Sequence, residues 1–295
     1  TDIEDIIRLS RNESVDTIVG GPPCQGFSLT GTRIFDDPRN KLYLAFYEIV
    51  KAVHPRVFLI ENVPGMATLY NGHVKEEIIG KFSSLGYKVK AEVLNSAEYG
   101  VPQVRKRLFF VGIDSQDSIF EFPQPTHNKE MYVTTKEAIH DLPPRTSDFG
   151  EEEDVYSSPS ISDYQRRMRL KNNILYNHVG TDHKQFVKEV ISLVPDGGNY
   201  KDLPDGVGTS RRFNEAWTRY SSKKPSKTID TGHRNHFHYE HNRVPTVREN
   251  ARLQSFPDSF RFLGSKTQQY RQVGNAVPPL LAEVVAKQII LSLGK

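Results

Sequence analysis

The chain is poor in cysteine. Cys24 is the only one in 295 residues, so no internal disulfide can form and the composition suits a reducing compartment. Long apolar runs are missing too: no stretch approaches the ~18 residues of a membrane span. The polar, acidic N-terminus does not read as a signal peptide. Together these absences predict a cytoplasmic protein with no membrane partner. Net charge is scarce, at +3, and says little about partners. What is present, 37% hydrophobic and 25% charged residues, describes a globular chain with enough length for one large domain or two modest ones.

The first ~120 residues alternate strand-like and helix-like patterns. Val15–Val19 and Val57–Ile60 read as short buried strands. Leu42, Ala45, Phe46, Ile49, Val50 and Val53 share one helical face. Glu76–Phe82 reads as a helix stopped by Gly86, and Tyr87–Leu94 and Leu108–Ile113 as further strands. Such alternation predicts an α/β fold around a mostly parallel sheet covered on both faces. After Asp114 prolines break the periodicity, which predicts a second, irregular domain. Regularity returns with a helix over Val247–Gln254 and an apolar helix over Pro279–Leu293. Between Arg211 and Arg248 nine Lys/Arg face three Asp/Glu, with His233, His236, His238 and His241 among them. That local excess is the footprint of phosphate-backbone contact, or else a solvated basic loop. The histidine spacing fits no zinc pattern, so no metal is expected.

Cys24 lies in Gly20-Gly21-Pro22-Pro23-Cys24-Gln25-Gly26-Phe27-Ser28, directly after the first strand. A lone cysteine is more often packed and inert, but other short segments accompany this one. Glu61-Asn62-Val63 also follows a strand. Gln103-Val104-Arg105-Lys106-Arg107 opens another, with the two arginines alternating and so predicted on one face. Gly274-Asn275-Ala276-Val277-Pro278-Pro279 lies near the C-terminus. A thiolate becomes a strong nucleophile beside positive charge. Arg105 and Arg107 could supply that charge, and Glu61 could move a proton if burial raised its pKa. No histidine lies in these motifs, which argues against a papain-like hydrolase. Addition to an electron-poor ring, with an acid at a ring nitrogen, fits better.

These segments, with Thr246-Val247-Arg248-Glu249-Asn250-Ala251-Arg252-Leu253-Gln254, resemble in type and order the motifs of the C5-cytosine DNA methyltransferases of restriction-modification systems. The resemblance covers 1–115 and 243–295. It implies a Rossmann-like S-adenosylmethionine-dependent methyltransferase domain, N-terminally incomplete, over 1–115 and 246–295, and a small, irregular target-recognition domain over 116–245. It implies that Cys24 attacks cytosine C6, that Glu61 holds N3 and the exocyclic amine, and that Arg107, supported by Arg105, contacts O2. Asn62 would brace the Cys24 loop. The cytosine would be flipped out of duplex DNA. Arg211, Arg212, Arg219, Arg234 and Arg243 are the expected DNA contacts, mostly to phosphates. The cytoplasmic setting would then be the nucleoid.

The family's glycine-rich cofactor loop and the acidic residue that holds the cofactor ribose are not in this sequence. The cofactor contacts implied are Asp2, Ile3, Pro22, Leu42, Asn275 and Val277. A half pocket predicts poor cofactor binding and exposed apolar surface, and admits a truncated chain, a missing N-terminal segment or a complementary N-terminal subunit. An inactive DNA-binding subunit and a tRNA cytosine methyltransferase are the other readings. Against the latter, the tRNA branch's Cys-Phe-Thr signature is absent.

Overall fold

The computed structural model describes residues 3–10, 15–23, 41–114, 120–170, 173–208, 215–232 and 235–294. They fall into two compact units. The first comprises 1–95, 106–124 and 283–295, and the second comprises 96–105 and 125–282.

In the first unit, helix α1 (Ile3–Ser10) precedes strand β1 (Thr17–Gly20), α2 (Lys41–Val53), β2 (Val57–Asn62), α3 (His73–Ser83), β3 (Tyr87–Asn95) and β4 (Lys106–Asp114). The four strands form one sheet in the order β1-β2-β4-β3. β1 and β2 are parallel, with Thr17 beside Val57 and Gly20 beside Ile60. β4 runs antiparallel to both β2 and β3. The expectation of a mostly parallel sheet is therefore corrected to a mixed one. β2 and β4 are buried at consecutive residues, which is why they read as continuous apolar runs. That pattern reports cover on both faces, not strand direction. On one side Phe58, Ile60, Leu108 and Phe110 pack against Tyr43, Phe46 and Val50 of α2 and Ile78 and Phe82 of α3.

The second unit is irregular. Its elements are α4 (Thr135–Ile139), β5 (Glu153–Val155), α5 (Asp163–Arg169), β6 (Ile174–Tyr176), α6 (Gln185–Ser192), β7 (Thr218–Arg219), β8 (His236–Phe237), α7 (Val247–Leu253) and α8 (Lys266–Asn275). Helix α9 (Pro279–Ser292) starts there and continues into the first unit. β5 pairs antiparallel with β6, and β7 parallel with β8. The packing boundary differs from the one expected near residue 246. All seven residues of α7 are buried, and its Val247, Ala251 and Leu253 share a core with Ala138, Ile139, Tyr164 and Met168. A capping box starts α7: Glu249 N–H donates to Thr246 Oγ1 (3.1 Å) and Thr246 N–H to Glu249 Oε2 (2.7 Å). Gly274 tolerates no side chain, since a Cβ there would lie 2.2 Å from the Asp230 carbonyl oxygen.

Candidate active site

Antiparallel β4 builds the site in the first unit. Because it runs against β2, its start lies beside the carboxyl end of β2, and β1 ends alongside. Glu61 stands opposite Phe109 and Asn62 opposite Leu108. Arg107 is thus two residues along β4 from the partner of Glu61, a diagonal neighbour on the same face. Arg107 Nε and Glu61 Oε1 form a salt bridge of 2.8 Å, and both side chains are largely covered, at 14% and 17% exposure. Burial lowers the Arg107 pKa from its ordinary value, while the charge of Glu61 and its hydrogen bond oppose that shift. Arg107 Nη1 also donates to the Lys106 carbonyl (2.7 Å).

The chain leaving β1 passes close by. A Cβ on Gly21 would lie 3.3 Å from Glu61 Oε2. Asn62 Nδ2 donates to the Pro22 carbonyl (3.0 Å), and Asn62 Oδ1 accepts from Val63 N–H (2.9 Å). The carboxyl ends of β1 and β2 are thereby fastened together two residues before Cys24. Cys24 itself lies outside the described residues, as do Asp2, Arg211, Arg212 and Arg234.

Arg105 behaves differently from Arg107. It precedes β4, whose first residue is Lys106, so the alternation that predicted a shared face does not apply to it. It is buried in the second unit, where Nη2 donates to the Gly274 carbonyl (2.8 Å) and Nη1 to that of Ile229 (3.3 Å). Gln103, to which the sequence assigned no role, is buried alongside. Its Nε2 donates to Gln254 Oε1 and to the Leu253 carbonyl (3.3 Å), while its Oε1 accepts from Ile229 N–H (3.0 Å). Gln254 Nε2 continues to the carbonyls of Val273 (3.1 Å) and Ala276 (2.8 Å). Three motifs far apart in sequence are thus tied by two amides and one guanidinium. The signal available in the sequence was only that both glutamines sit inside those motifs.

Two expected DNA contacts are engaged inside the second unit. Arg219 is buried, and all five of its N–H groups go to protein acceptors: the carbonyls of Ile191, Val194, His238 and His241 and the Asn242 side chain. Arg243 is buried too, and donates to the carbonyls of Pro144 and Val244 and to both carboxylate oxygens of Glu249. Neither offers a donor to a phosphate. Of the histidines expected in a basic loop, His236 and His238 are buried, His236 stacked on Tyr220 and His238 on Tyr239 and on half-buried His241, while His233 lies outside the described residues.

Among the expected cofactor contacts, Ile3 starts α1 and is half-buried. Pro22 is buried, and Leu42, on the first turn of α2, is 60% exposed. In the second unit Asn275 is exposed and Val277 half-buried. Val19 of β1 is 67% exposed, so the first unit carries uncovered apolar surface on both β1 and α2.

Residues 1–291 match the family described as C-5 cytosine-specific DNA methylase. The chain is 40% identical over 290 residues to the type II methyltransferase M1.HphI of Haemophilus parahaemolyticus, covering 97% of this chain and 71% of that protein. It is 38% identical over 301 residues to the type II methyltransferase M.DdeI of Desulfomicrobium norvegicum, covering 93% and 72%. A crystal structure of a prophage-encoded DNA modification methyltransferase of E. coli superposes with a TM-score of 0.79 at 30% identity, over 100% of this chain and 86% of that one. The S. pombe Dnmt2 methyltransferase, at 15% identity and a TM-score of 0.53, shares the fold alone.

The mixed α/β sheet is that of a Rossmann-like methyltransferase. This chain belongs to the C-5 cytosine-specific DNA methylase family. The cofactor of that family is S-adenosylmethionine. Nothing in these matches supports a complementary N-terminal subunit. Among the described residues no helix is long and apolar enough to cross a membrane.

Proposed function

We propose that this chain methylates C5 of a flipped-out cytosine in a specific duplex DNA sequence, through a covalent bond from Cys24 to C6. The observation that carries the reading is the Arg107–Glu61 pair at 2.8 Å, set against Gly21 on the segment leading to Cys24. Cytosine presents O2, N3 and the 4-amino group along one edge. A guanidinium beside a carboxyl group matches that edge: Arg107 donates to O2, and Glu61 holds N3 with a proton and accepts from the amine. Both contacts draw electron density from the ring, and so favour thiolate addition at C6.

The thiolate of Cys24 forms the bond to C6, and the C5–C6 π electrons make C5 nucleophilic. S-adenosylmethionine, when bound, supplies an electrophilic methyl group; the residues we assign to it are Asp2, Ile3, Pro22, Leu42, Asn275 and Val277. After C5 is methylated, loss of its proton returns electrons to the ring and expels the Cys24 thiolate. Asn62 is a positioning residue, holding the Pro22 carbonyl while the following loop carries the nucleophile. We assign 116–245 to target recognition, with Arg211, Arg212 and Arg234 as its arginine contacts to DNA, and place the protein in the cytoplasm with that DNA.

Transfer of a radiolabelled methyl group from S-adenosylmethionine to a duplex library tests the reading. Activity should be abolished in Cys24→Ser and should fall by about 10²-fold or more in Glu61→Gln and Arg107→Lys, the range for a lost proton-transfer or charge-stabilising group. Equal labelling by Cys24→Ser and the parent would overturn it.

A further inference from the structure

Buried Arg219 and Arg243 leave the expected phosphate contact of the second unit without two of its arginines. Another basic segment of that unit has the opposite character. Ser221-Ser222-Lys223-Lys224-Pro225-Ser226-Lys227-Thr228 holds three lysines and no carboxylate, and all three lysines are exposed.

The backbone of this segment is tied down along its length. Ser222 N–H and Oγ donate to Asp196 (2.7 and 2.8 Å). The Lys224 carbonyl accepts from Thr135 N–H (2.9 Å) and Oγ1 (3.1 Å). Ser226 N–H and Oγ donate to the Pro102 carbonyl (2.9 and 3.1 Å), and its own carbonyl accepts from Val104 N–H (2.9 Å). Thr228 Oγ1 donates to the Val104 carbonyl (2.9 Å). Pro225 fixes one more torsion.

The lysine heads are not tied down in the same way. Lys227 pairs with Glu215 (3.6 Å). Some exposed lysines take carboxylate partners, as Lys51 does with Glu48 and Lys287 with Glu283. Among the described residues no carboxylate lies within 4.0 Å of Lys223 or Lys224. Two adjacent like charges on a fixed backbone repel each other, and an anion relieves that repulsion. Lys223 also lines a groove of about 580 Å³ with Lys136. The two carboxylates there are engaged locally, Glu137 with its helix cap Thr134 and Asp163 with Arg166.

We propose that Ser221–Thr228 is a phosphate-contact loop for duplex DNA, with Lys223 and Lys224 as its contacting residues. A fixed backbone with free cationic heads suits contacts that set register without reading sequence. The loop hangs from Pro102 and Val104, immediately before Arg105, so a phosphate held there is registered against the motif segment. This inference rests on the methyltransferase reading and adds the element that grips the backbone.

The test measures binding of a duplex to the 295-residue chain between 50 and 200 mM salt, for the parent, Lys223→Ala/Lys224→Ala and Lys223→Arg/Lys224→Arg. Each phosphate contact contributes about 0.9 to the slope of log K against log salt. The double alanine variant should lose about 1.8 of slope with thermal unfolding unchanged, and the arginine variant should restore the slope. A loss below about 0.9 in a parent that binds and methylates DNA overturns the loop assignment alone. A parent that neither binds nor methylates DNA overturns both readings.

Discussion

Gln103 and Gln254, 151 residues apart, share a hydrogen bond inside the second unit, and both are buried. Gln103 also receives Ile229 N–H, so one side chain serves the segment below the lysine loop and the end of α7 together. Replacing Gln103 with Ala should strand Ile229 N–H and Gln254 Oε1 without partners. Each buried unsatisfied group costs about 1–3 kcal/mol, so the variant should lose roughly 2–6 kcal/mol in urea unfolding, more than an exposed Gln272→Ala control.

Arg243 and Glu249 form a buried two-point pair, at 2.6 and 2.8 Å. Arg243→Ala should leave the carboxylate of Glu249 uncompensated and destabilise the protein by about 3–5 kcal/mol. Loss of midpoint in a denaturant titration checks this. Arg243 was expected at the DNA surface, and such a variant, where it folds, should instead keep the parent's salt dependence of DNA binding.

Acid should loosen the second unit first. Burial lowers the His178 pKa from 6.5 to about 4, with the Glu249 charge opposing, and holds His238 well below its ordinary value. For Glu249 burial alone would raise the pKa, but Arg243 outweighs it and the carboxyl sits below the usual range. Between pH 6.5 and 4 the unfolded chain takes up a proton at His178 that the folded chain does not, so stability present above 6.5 is lost as pH falls. His178 alone contributes about 3 kcal/mol across that interval. Glu249 adds a loss in the same direction below the ordinary carboxylate range. The unfolding midpoint should fall steadily from pH 7 to 4, and His178→Phe should flatten the curve.

Much of the first unit was legible in the sequence because its strands and helices have distinct apolar periods. β2 and α2 fall where the pattern puts them. Direction was not legible: a strand buried on both faces gives the same apolar run whichever way it points, and antiparallel β4 went unseen. That reversal brings Arg107 beside Glu61, so the residues were readable while their geometry was not. The arginines show a second limit. Counting charge between Arg211 and Arg248 cannot separate a buried cation from a free one. Arg243 stands six residues before Glu249, and the Thr246–Glu249 capping box placed that carboxylate in a helix start, the one local hint that Arg243 had a partner.

The central claim is that Cys24 bonds to C6 of the target cytosine. Duplexes carrying 5-fluorocytosine, incubated with the chain and S-adenosylmethionine, test it most directly, because fluorine cannot leave as a cation and the adduct persists. The account expects a denaturation-resistant protein–DNA complex that is lost in Cys24→Ser and weakened in Arg107→Lys. An adduct that survives Cys24→Ser, or methyl transfer to cytosine without any trapped complex, would contradict it.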